Sequence, residues 1–175
     1  FNLAGSGAYL PQRRVPSYEV DSLCKRPNGW TEKRFGIRER RWAGVEETTS
    51  QMAALAARQA LDEAGWSAES LDAVIGACGV MEQPIPSTAV LVQRKLGLGN
   101  SGIPAFDINA TCLSFLVAFE RAVLGIAYGQ WKRVLVFSSD IASAALNFSE
   151  AEAAVLFGDG AAAVLLETGE AHRLL

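Results

Sequence analysis

Short apolar runs alternate with longer amphipathic stretches along most of the chain. The runs are typical of buried strands, and we predict strands at residues 2–10, 71–79, 103–109, 133–138 and 161–167. Between them, apolar residues recur with the spacing of one helix face, which predicts helices at residues 48–64, 87–96, 112–128 and 149–157. Ser87 is a candidate helix cap, and helices are expected to end at Gly65, Gly97 and Gly129.

Helices that separate successive strands predict right-handed crossovers, and therefore a mostly parallel sheet with helices on both faces. The 175 residues contain no internal repeat and no low-complexity tract, so we predict one α/β domain over residues 1–175. Residues 11–47 interrupt the pattern with charged residues, three prolines and two tryptophans. This segment is predicted to be an excursion from the sheet, where binding groups are often found.

Composition narrows the function classes. Hydrophobic residues make up 50% of the chain and charged residues 20%, a balance that excludes a disordered or fibrous protein. The net charge of −3 provides no overall basic field for nucleic acid. No apolar run approaches the roughly 20 residues that cross a bilayer, and the first residues lack the basic start of an export signal. Neither a nucleic-acid partner nor a membrane partner is therefore expected.

The three cysteines are Cys24, Cys78 and Cys112, an odd set without metal-ligand spacing. Neither a disulfide framework nor a metal site is expected, and a reducing, cytoplasmic location is the default. Cys78 lies in an apolar run and is predicted to be core, whereas Cys24 is interpreted as incidental. Cys112 stands where a predicted strand is followed by a helix, and a helix N-terminus stabilises a thiolate. A nucleophile and a buried small hydrophobe remain alternatives for Cys112.

Two glycine motifs are similar to nucleotide-binding loops without completing them. Gly5-Ser6-Gly7 is followed by Leu10 where a dinucleotide fingerprint has its third glycine, so it is interpreted as a tight exit from the first strand. Gly158-Asp159-Gly160 lacks the Lys-Ser/Thr pair of a phosphate loop. That motif is interpreted as a turn or a close approach between backbones.

Trp30 and Arg34 are four residues apart, so both can lie on one face of a helix. An aromatic ring and a guanidinium in this arrangement can sandwich a flat base and offer charge to phosphates. The alternative is a solvated basic face beside a core tryptophan. Taken alone, the pattern favours the second interpretation.

Five segments in chain order resemble the N-terminal half of the β-ketoacyl-acyl carrier protein synthase III family, which has the thiolase fold. They are GSGAYLP near the start, Trp30 with Arg34-Phe35-Gly36-Ile37-Arg38-Glu39-Arg40, PAFDINATC, SSD at 138–140 and FGDGAAAVLLE at 157–167. The resemblance covers nearly the whole chain. It implies a thiolase-like α/β fold, with one five-stranded, mixed and mostly parallel sheet covered by helices, as half of a duplicated fold.

The same resemblance implies a condensing enzyme, an acyltransferase of fatty acid or related biosynthesis. Cys112 would accept an acyl group from acyl-CoA, and a carbanion from decarboxylation of malonyl-acyl carrier protein would attack the resulting thioester. Trp30 and Arg34 would bracket the adenine of coenzyme A. The implied partners are acyl-CoA as substrate, acyl carrier protein and a second copy in a homodimer, with no permanently bound cofactor.

Several residues depart from the family pattern. Phe35 replaces a threonine, and Ala144 replaces an arginine expected to contact CoA phosphate. Leu113-Ser114 stands in place of Ala-Gly after the cysteine, and Ile85 in place of an aromatic residue directed at the partner subunit. We therefore expect the acyl preference to differ from that of acetyl-primed members.

The family's decarboxylating histidine and asparagine belong to its C-terminal half, which is absent from the 175 residues. The only histidine, His172, matches no family motif and is interpreted as exposed tail. This chain alone is therefore expected to be inactive. Two alternatives remain open: an acyltransferase or secondary-metabolite condensing enzyme of the same fold, and a non-catalytic half that acts as a binding or dimerisation module.

Overall fold

The computed structural model of the chain describes residues 1–172. They divide into two compact units. The first, here called the sheet unit, comprises Phe1–Tyr9, Thr49–Asp140 and the segment that begins at Ala161. The second, here called the hairpin unit, comprises Leu10–Thr48 and Ile141–Gly160. The predicted excursion, residues 11–47, falls within the hairpin unit.

Strands and helices alternate through most of the described chain. Their bounds are β1 (Asn2–Tyr9), β2 (Arg13–Pro16), α1 (Ser17–Leu23), α2 (Trp30–Phe35), β3 (Glu39–Trp42), α3 (Thr49–Ala64), β4 (Ala73–Gly76), α4 (Thr88–Lys95), β5 (Ala105–Asp107), α5 (Ser114–Ala127), β6 (Arg133–Ile141), α6 (Ala151–Ala154) and β7 (Asp159–Glu167). One-turn 3₁₀ helices lie at Ala68–Ser70, Thr111–Leu113 and Ala142–Ala145. No helix within residues 1–172 combines the length and apolarity needed to cross a bilayer.

The sheet unit is built on a five-stranded sheet in the order β1-β7-β6-β4-β5. Strand β4 pairs in parallel with both β5 and β6, through Ile75 opposite Phe106 and Val136. Strand β1 pairs with β7 in the antiparallel sense, with Gly7 opposite Ala163. The predicted mixed sheet is therefore confirmed.

Helices cover the sheet on both faces. Ile75 of β4 and Val136 of β6 pack with Ala122 of α5 in one buried cluster. Side chains alternate along a strand, so the equally buried Val74 and Leu135 point to the opposite face. This burial on both faces explains why the β4 and β6 segments are continuous apolar runs rather than alternating ones.

Gly5 and Gly7 lie inside β1 and determine how closely α3 approaches the sheet. A Cβ at Gly5 would meet the carbonyl oxygen of Ala60, and one at Gly7 that of Ala56, both on α3. Glycine is needed here because the helix backbone lies directly against the strand. The interpretation of this motif as a tight strand exit is therefore wrong.

The three helix ends predicted at glycine are confirmed, whereas the bounds of two other predicted helices need correction. Gly65, Gly97 and Gly129 adopt positive φ angles of 67°, 87° and 71°, as residues that terminate helices do. The Ser87 hydroxyl accepts a hydrogen bond from the Val90 N–H at 3.4 Å, as a cap does. Helix α5 begins only at residue 114, after a separate 3₁₀ turn. Helix α6 has four residues rather than the nine predicted, and the residues on either side of it form loops.

The hairpin unit folds around a core of its own. Strands β2 and β3 pair in the antiparallel sense, and their apolar residues pack with those of α1 and α6. The buried members of this cluster are Val15, Val20, Cys24, Trp42, Ala151, Ala154 and Val155. Cys24 is therefore a core residue and not incidental, a role that the irregular hydrophobic pattern of this segment did not reveal.

The Gly158-Asp159 pair holds two segments of the hairpin unit together. A Cβ at Gly158 would lie 3.1 Å from the carbonyl oxygen of Arg41, so the predicted close approach between backbones is confirmed. The buried Asp159 carboxylate accepts hydrogen bonds from the N–H groups of Ala43 and Ser143 at 2.7 and 2.8 Å. These bonds satisfy the buried charge and fix both segments.

We predict that Gly7→Ala lowers the free energy of unfolding by about 1–3 kcal/mol, because the new methyl group would overlap the α3 backbone. Urea unfolding of the wild-type and variant proteins measures this change. Gly99→Ala is the matched control, since nothing lies within 4 Å of a Cβ there. Equal destabilisation by the two substitutions would contradict the packing argument.

Candidate active site

Cys112 lies in the 3₁₀ turn between β5 and α5, beyond the carboxyl end of a parallel strand. It is exposed, whereas Cys24 and Cys78 are buried. The carboxyl edge of a parallel sheet is where α/β proteins commonly bind ligands. Of the three cysteines, Cys112 is therefore the one that a substrate can reach.

The residue before Cys112 has a strained backbone. Thr111 has a φ of 52°, in the left-handed region that β-branched residues rarely adopt. Such a conformation costs about 1–3 kcal/mol and persists only where the surroundings maintain it. Here the Asn109 side-chain oxygen accepts the Thr111 N–H at 3.0 Å, and the Thr111 hydroxyl donates to the Ala110 carbonyl at 2.7 Å. Strain of this kind is frequent at functional sites.

One backbone N–H of this turn is available to a ligand. The N–H groups of Ala110, Thr111 and Leu113 donate hydrogen bonds of 2.9, 3.0 and 3.1 Å within the turn. Within the described residues, none accepts a hydrogen bond from the Cys112 N–H. An exposed sulfur and an unengaged donor thus belong to the same residue, an arrangement that can stabilise an oxyanion formed by attack of that sulfur.

The carboxyl ends of three strands meet beside this turn at Gly79. The Asn109 side-chain amide donates to the Gly79 carbonyl at 3.3 Å. Asp140, near the end of β6, accepts the Val80 N–H at 2.5 Å. A Cβ at Gly79 would lie 3.5 Å from an Asp140 oxygen and 4.0 Å from the Thr111 carbonyl oxygen. Asn109 therefore links the Cys112 turn to the segment after β4, and Asp140 holds that same segment to β6. The sequence patterns assigned no role to either residue.

Two titratable groups near this edge have shifted pKa values. Burial raises the pKa of the Asp140 carboxyl, although hydrogen bonds from Val80, Gly79 and Ser138 oppose the rise. Burial also raises the pKa of the Cys78 thiol to about 12, with smaller contributions from the negative charges of Asp140 and Asp107. Cys78 is therefore a neutral thiol at pH 7, in keeping with its predicted place in the core.

Trp30 and Arg34 both lie on α2, in the hairpin unit. The start of this helix is held by the buried Asp21 carboxylate, which accepts the N–H groups of Gly29 and Thr31 at 2.9 and 3.0 Å. Trp30 is half-buried and Arg34 is exposed. Asp21 lies on α1, in a stretch of sequence without clear periodicity, so the sequence pattern did not indicate that it would hold the start of α2.

The structure does not stack Arg34 on Trp30. The guanidinium of Arg26 lies over the Trp30 ring, 5.1 Å from its centroid. Arg34 instead donates to the Glu152 carboxylate at 2.7 Å and lies 5.7 Å from the centroid of the Phe35 ring. Three further arginines of this unit are also paired with carboxylates, in the pairs Arg13–Glu19, Arg14–Glu39 and Arg38–Glu32. These pairs reduce the positive charge that the arginines present to an acidic partner.

The residues that depart from the family pattern are placed as follows. Ile85 is 87% exposed and Leu113 is 58% exposed. Ala144 lies in the 3₁₀ turn of the hairpin unit that spans Ala142–Ala145. His172 is exposed, as predicted, and its ring packs against that of Phe1 with centroids 5.4 Å apart.

Comparison with known proteins identifies the family. The family model described as 3-oxoacyl-[acyl-carrier-protein (ACP)] synthase III matches residues 106–175. The β-ketoacyl-[acyl-carrier-protein] synthase III of Neisseria meningitidis is 39% identical over 148 residues, which cover 85% of this chain and 46% of that protein. The chain belongs to the synthase III family. It spans about half the length of the curated relatives that it matches.

Solved structures of a synthase III and of a priming β-ketosynthase share the fold. The 3-oxoacyl-[acyl-carrier-protein] synthase III of Aquifex aeolicus has a TM-score of 0.90 and 39% identity, and the match covers 96% of this chain and 54% of that one. The priming β-ketosynthase of the R1128 polyketide biosynthetic pathway has a TM-score of 0.88 and 30% identity, with coverage of 96% and 50%. The expected thiolase-like fold, as about half of the synthase III chain, is thereby confirmed.

We predict that the free energy of unfolding of Asp140→Asn, measured relative to that of the wild type, increases as pH rises. In the folded state the Asp140 pKa is raised above its ordinary value of 3.8. The carboxyl therefore favours folding most below that value, and this contribution is lost as pH rises through the folded pKa. Asparagine keeps an acceptor oxygen for the Val80 N–H but does not titrate. Urea unfolding of both proteins between pH 4 and pH 8 gives the difference.

A difference in unfolding free energy that does not change with pH would contradict this assignment. Asp140→Ala serves as the comparison, because alanine removes both the charge and the acceptor. We expect the alanine variant to be less stable than the asparagine variant at every pH, since the Val80 N–H loses the acceptor that Asp140 provides.

Proposed function

We propose that this chain is part of a synthase III-type condensing enzyme in which Cys112 is acylated by an acyl-CoA. The observation on which the proposal depends is the exposed Cys112 with its N–H free of any described acceptor, on a strained turn at the carboxyl edge of a parallel sheet. Family membership supports the same assignment, because PAFDINATC is the segment that resembles the family's nucleophile region.

In the proposed acyl transfer, the Cys112 thiol loses its proton and the thiolate attacks the thioester carbonyl carbon of acyl-CoA. The carbonyl electron pair moves onto oxygen, and the Cys112 N–H donates a hydrogen bond to this oxyanion. When the carbonyl re-forms, the bond to the CoA sulfur breaks. The CoA thiolate leaves and takes up one proton, which balances the proton lost from Cys112.

The second step is a Claisen condensation. Decarboxylation of a malonyl-thioester releases CO₂ and leaves a carbanion, which attacks the acyl-Cys112 carbonyl and displaces the cysteine thiolate to give a 3-oxoacyl-thioester. The family resemblance assigns the histidine and asparagine of this step to the C-terminal half. We propose that condensation depends on that half, and that residues 1–175 contribute the nucleophile.

For substrates and partners, we propose CoA contact at Trp30 and Arg34, acyl carrier protein as the carrier of the malonyl group, and a homodimer. Arg34 is available to CoA phosphate because its exposed pair with Glu152 contributes about 1 kcal/mol or less. The matched relatives are named for acyl carrier protein. Ile85, 87% exposed, stands where the resemblance directs a side chain at the partner subunit.

A second candidate is priming of a secondary-metabolite pathway by the same acyl transfer. Leu113-Ser114 and Ala144 favour this possibility because they depart from the acetyl-primed pattern, and the R1128 priming β-ketosynthase shares the fold at 30% identity. The two candidates share Cys112 chemistry and differ in the acyl group and acceptor. Condensation assays with a series of acyl-CoA primers and with malonyl-thioesters of different carrier proteins distinguish them.

We predict that an acyl-CoA adds one acyl mass to the protein expressed from its complete gene, and that peptide mapping places this mass on Cys112. Cys112→Ser should abolish the stable adduct, because an alkoxide is not available at neutral pH without a base. Cys24→Ala is the control and should be acylated normally, since Cys24 is a core residue of the hairpin unit. Absence of any adduct with short, medium and long acyl-CoA would favour the non-catalytic alternative.

We also predict that Trp30→Ala and Arg34→Ala raise the acyl-CoA concentration for half-maximal acylation about tenfold, through loss of stacking and charge contacts with the nucleotide. Acylation by the matching N-acetylcysteamine thioester, which has no nucleotide, should not change. Arg14→Ala is the control, because Arg14 is exposed and paired with Glu39 in the same way. Equal effects on both thioesters would exclude a role in CoA recognition.

A further inference from the structure

We propose that the Ser114 hydroxyl is a positioning residue for Cys112, which orients the peptide bearing the Cys112 N–H. This inference rests on the proposed acyl transfer and adds a residue to it. The family resemblance expects glycine at this position, so the hydroxyl is a feature of this chain that the family pattern does not supply.

The Ser114 hydroxyl links the backbone groups of two residues of the turn. Its oxygen accepts the Ala110 N–H at 2.9 Å, and its hydrogen is donated to the Thr111 carbonyl at 2.7 Å. Ser114 is only 2% exposed, so water does not compete for either bond. Both hydrogen-bonding capacities of this buried hydroxyl are used, and both are used on the residues that precede Cys112.

The Thr111 carbonyl and the Cys112 N–H belong to the same peptide unit. A trans peptide is planar, so its C=O and N–H point in opposite directions and rotate together. The Thr111 carbonyl accepts hydrogen bonds from both the Ser114 hydroxyl and the Ser114 backbone N–H. Together they fix the direction of this carbonyl and thereby the direction of the Cys112 N–H. That N–H is the donor proposed to meet the thioester oxyanion.

The strain at Thr111 gives this hydrogen bond its importance. With φ at 52°, Thr111 relaxes towards the right-handed or extended regions when the Ser114 hydroxyl is lost and only the Ser114 N–H still holds its carbonyl. Such relaxation rotates the peptide between Thr111 and Cys112 and turns the N–H away from its position. The bond between Ala110 N–H and Ser114 opposes the same motion one residue earlier.

The test compares two reactions of the same sulfur in the protein expressed from its complete gene. Acyl transfer from acyl-CoA forms an oxyanion, whereas alkylation by iodoacetamide is a displacement that forms none. We expect Ser114→Ala and Ser114→Gly to slow acyl transfer about tenfold or more, in line with the cost of misplacing an oxyanion donor. Alkylation should change less than about twofold. Two variants are used so that, if one of them does not fold, the other still tests the proposal.

Ser139→Ala is the matched control. Its hydroxyl is also buried, at 1% exposure, and donates to the Thr49 carbonyl at 2.8 Å. We expect the control to lose stability to a similar degree without slowing acyl transfer. Unchanged acyl transfer in the Ser114 variants, or equal slowing of acyl transfer and alkylation, would overturn the positioning role while leaving the proposed function in place.

Hydrogen exchange separates failure of this inference from failure of the proposed function. If the wild-type protein accepts no acyl group, the proposed function fails, and the exchange rate of the Ala110 amide then decides the inference. Ser114→Ala should accelerate that exchange about tenfold relative to Ser139→Ala, because the Ala110 N–H loses its buried acceptor. Equal exchange in the two variants would overturn the positioning role.

Discussion

Burial of β4 between β5 and β6 is the constraint on which the candidate site depends. All four β4 residues are buried, with helices over both faces of the sheet. The three strands are parallel, so their carboxyl ends lie at one edge, and the polar segments that follow them meet there. Asn109, Asp140 and the Gly79 segment are hydrogen-bonded at this edge. The turn with Cys112 follows directly, so a requirement of core packing determines where the proposed nucleophile lies.

Cys78 and Cys112 show how position controls the chemistry of one side chain. Cys78 follows β4 on the buried side of this edge, and burial raises its pKa to about 12. Cys112 lies in an exposed turn held by Asn109 and Ser114. The same thiol is therefore an inert core group in one segment and an exposed group that a substrate can reach in another, with no difference in residue type.

Carboxylates that accept hydrogen bonds from backbone N–H groups maintain the loops in both units. Asp107 accepts the N–H groups of Thr88 and Ala89 at the start of α4, and Asp21 and Asp159 act in the same way on segments of the hairpin unit. Each carboxylate is satisfied by backbone donors rather than by a basic side chain, which makes the position of the loop dependent on one residue. Segments that resemble the family signature, FGDGA among them, thus hold loops in place, a structural role that is distinct from catalysis.

The alternating apolar pattern by itself determined the α/β class, the order of the main elements and the helix ends at glycine, because local periodicity and backbone sterics decide these features. The cysteine at the strand-to-helix junction was also identifiable, and the family resemblance made it the candidate nucleophile. The hairpin unit was not predicted, since its short strands and helices depend on contacts between segments far apart in sequence. Only the tertiary structure decided that Gly5 and Gly7 admit α3, that Arg26 rather than Arg34 stacks on Trp30, and that Ser114 spans the Cys112 turn. Each of these features depends on the direction in which a side chain or a backbone group points towards its partner. The spacing of hydrophobic residues does not encode such directions.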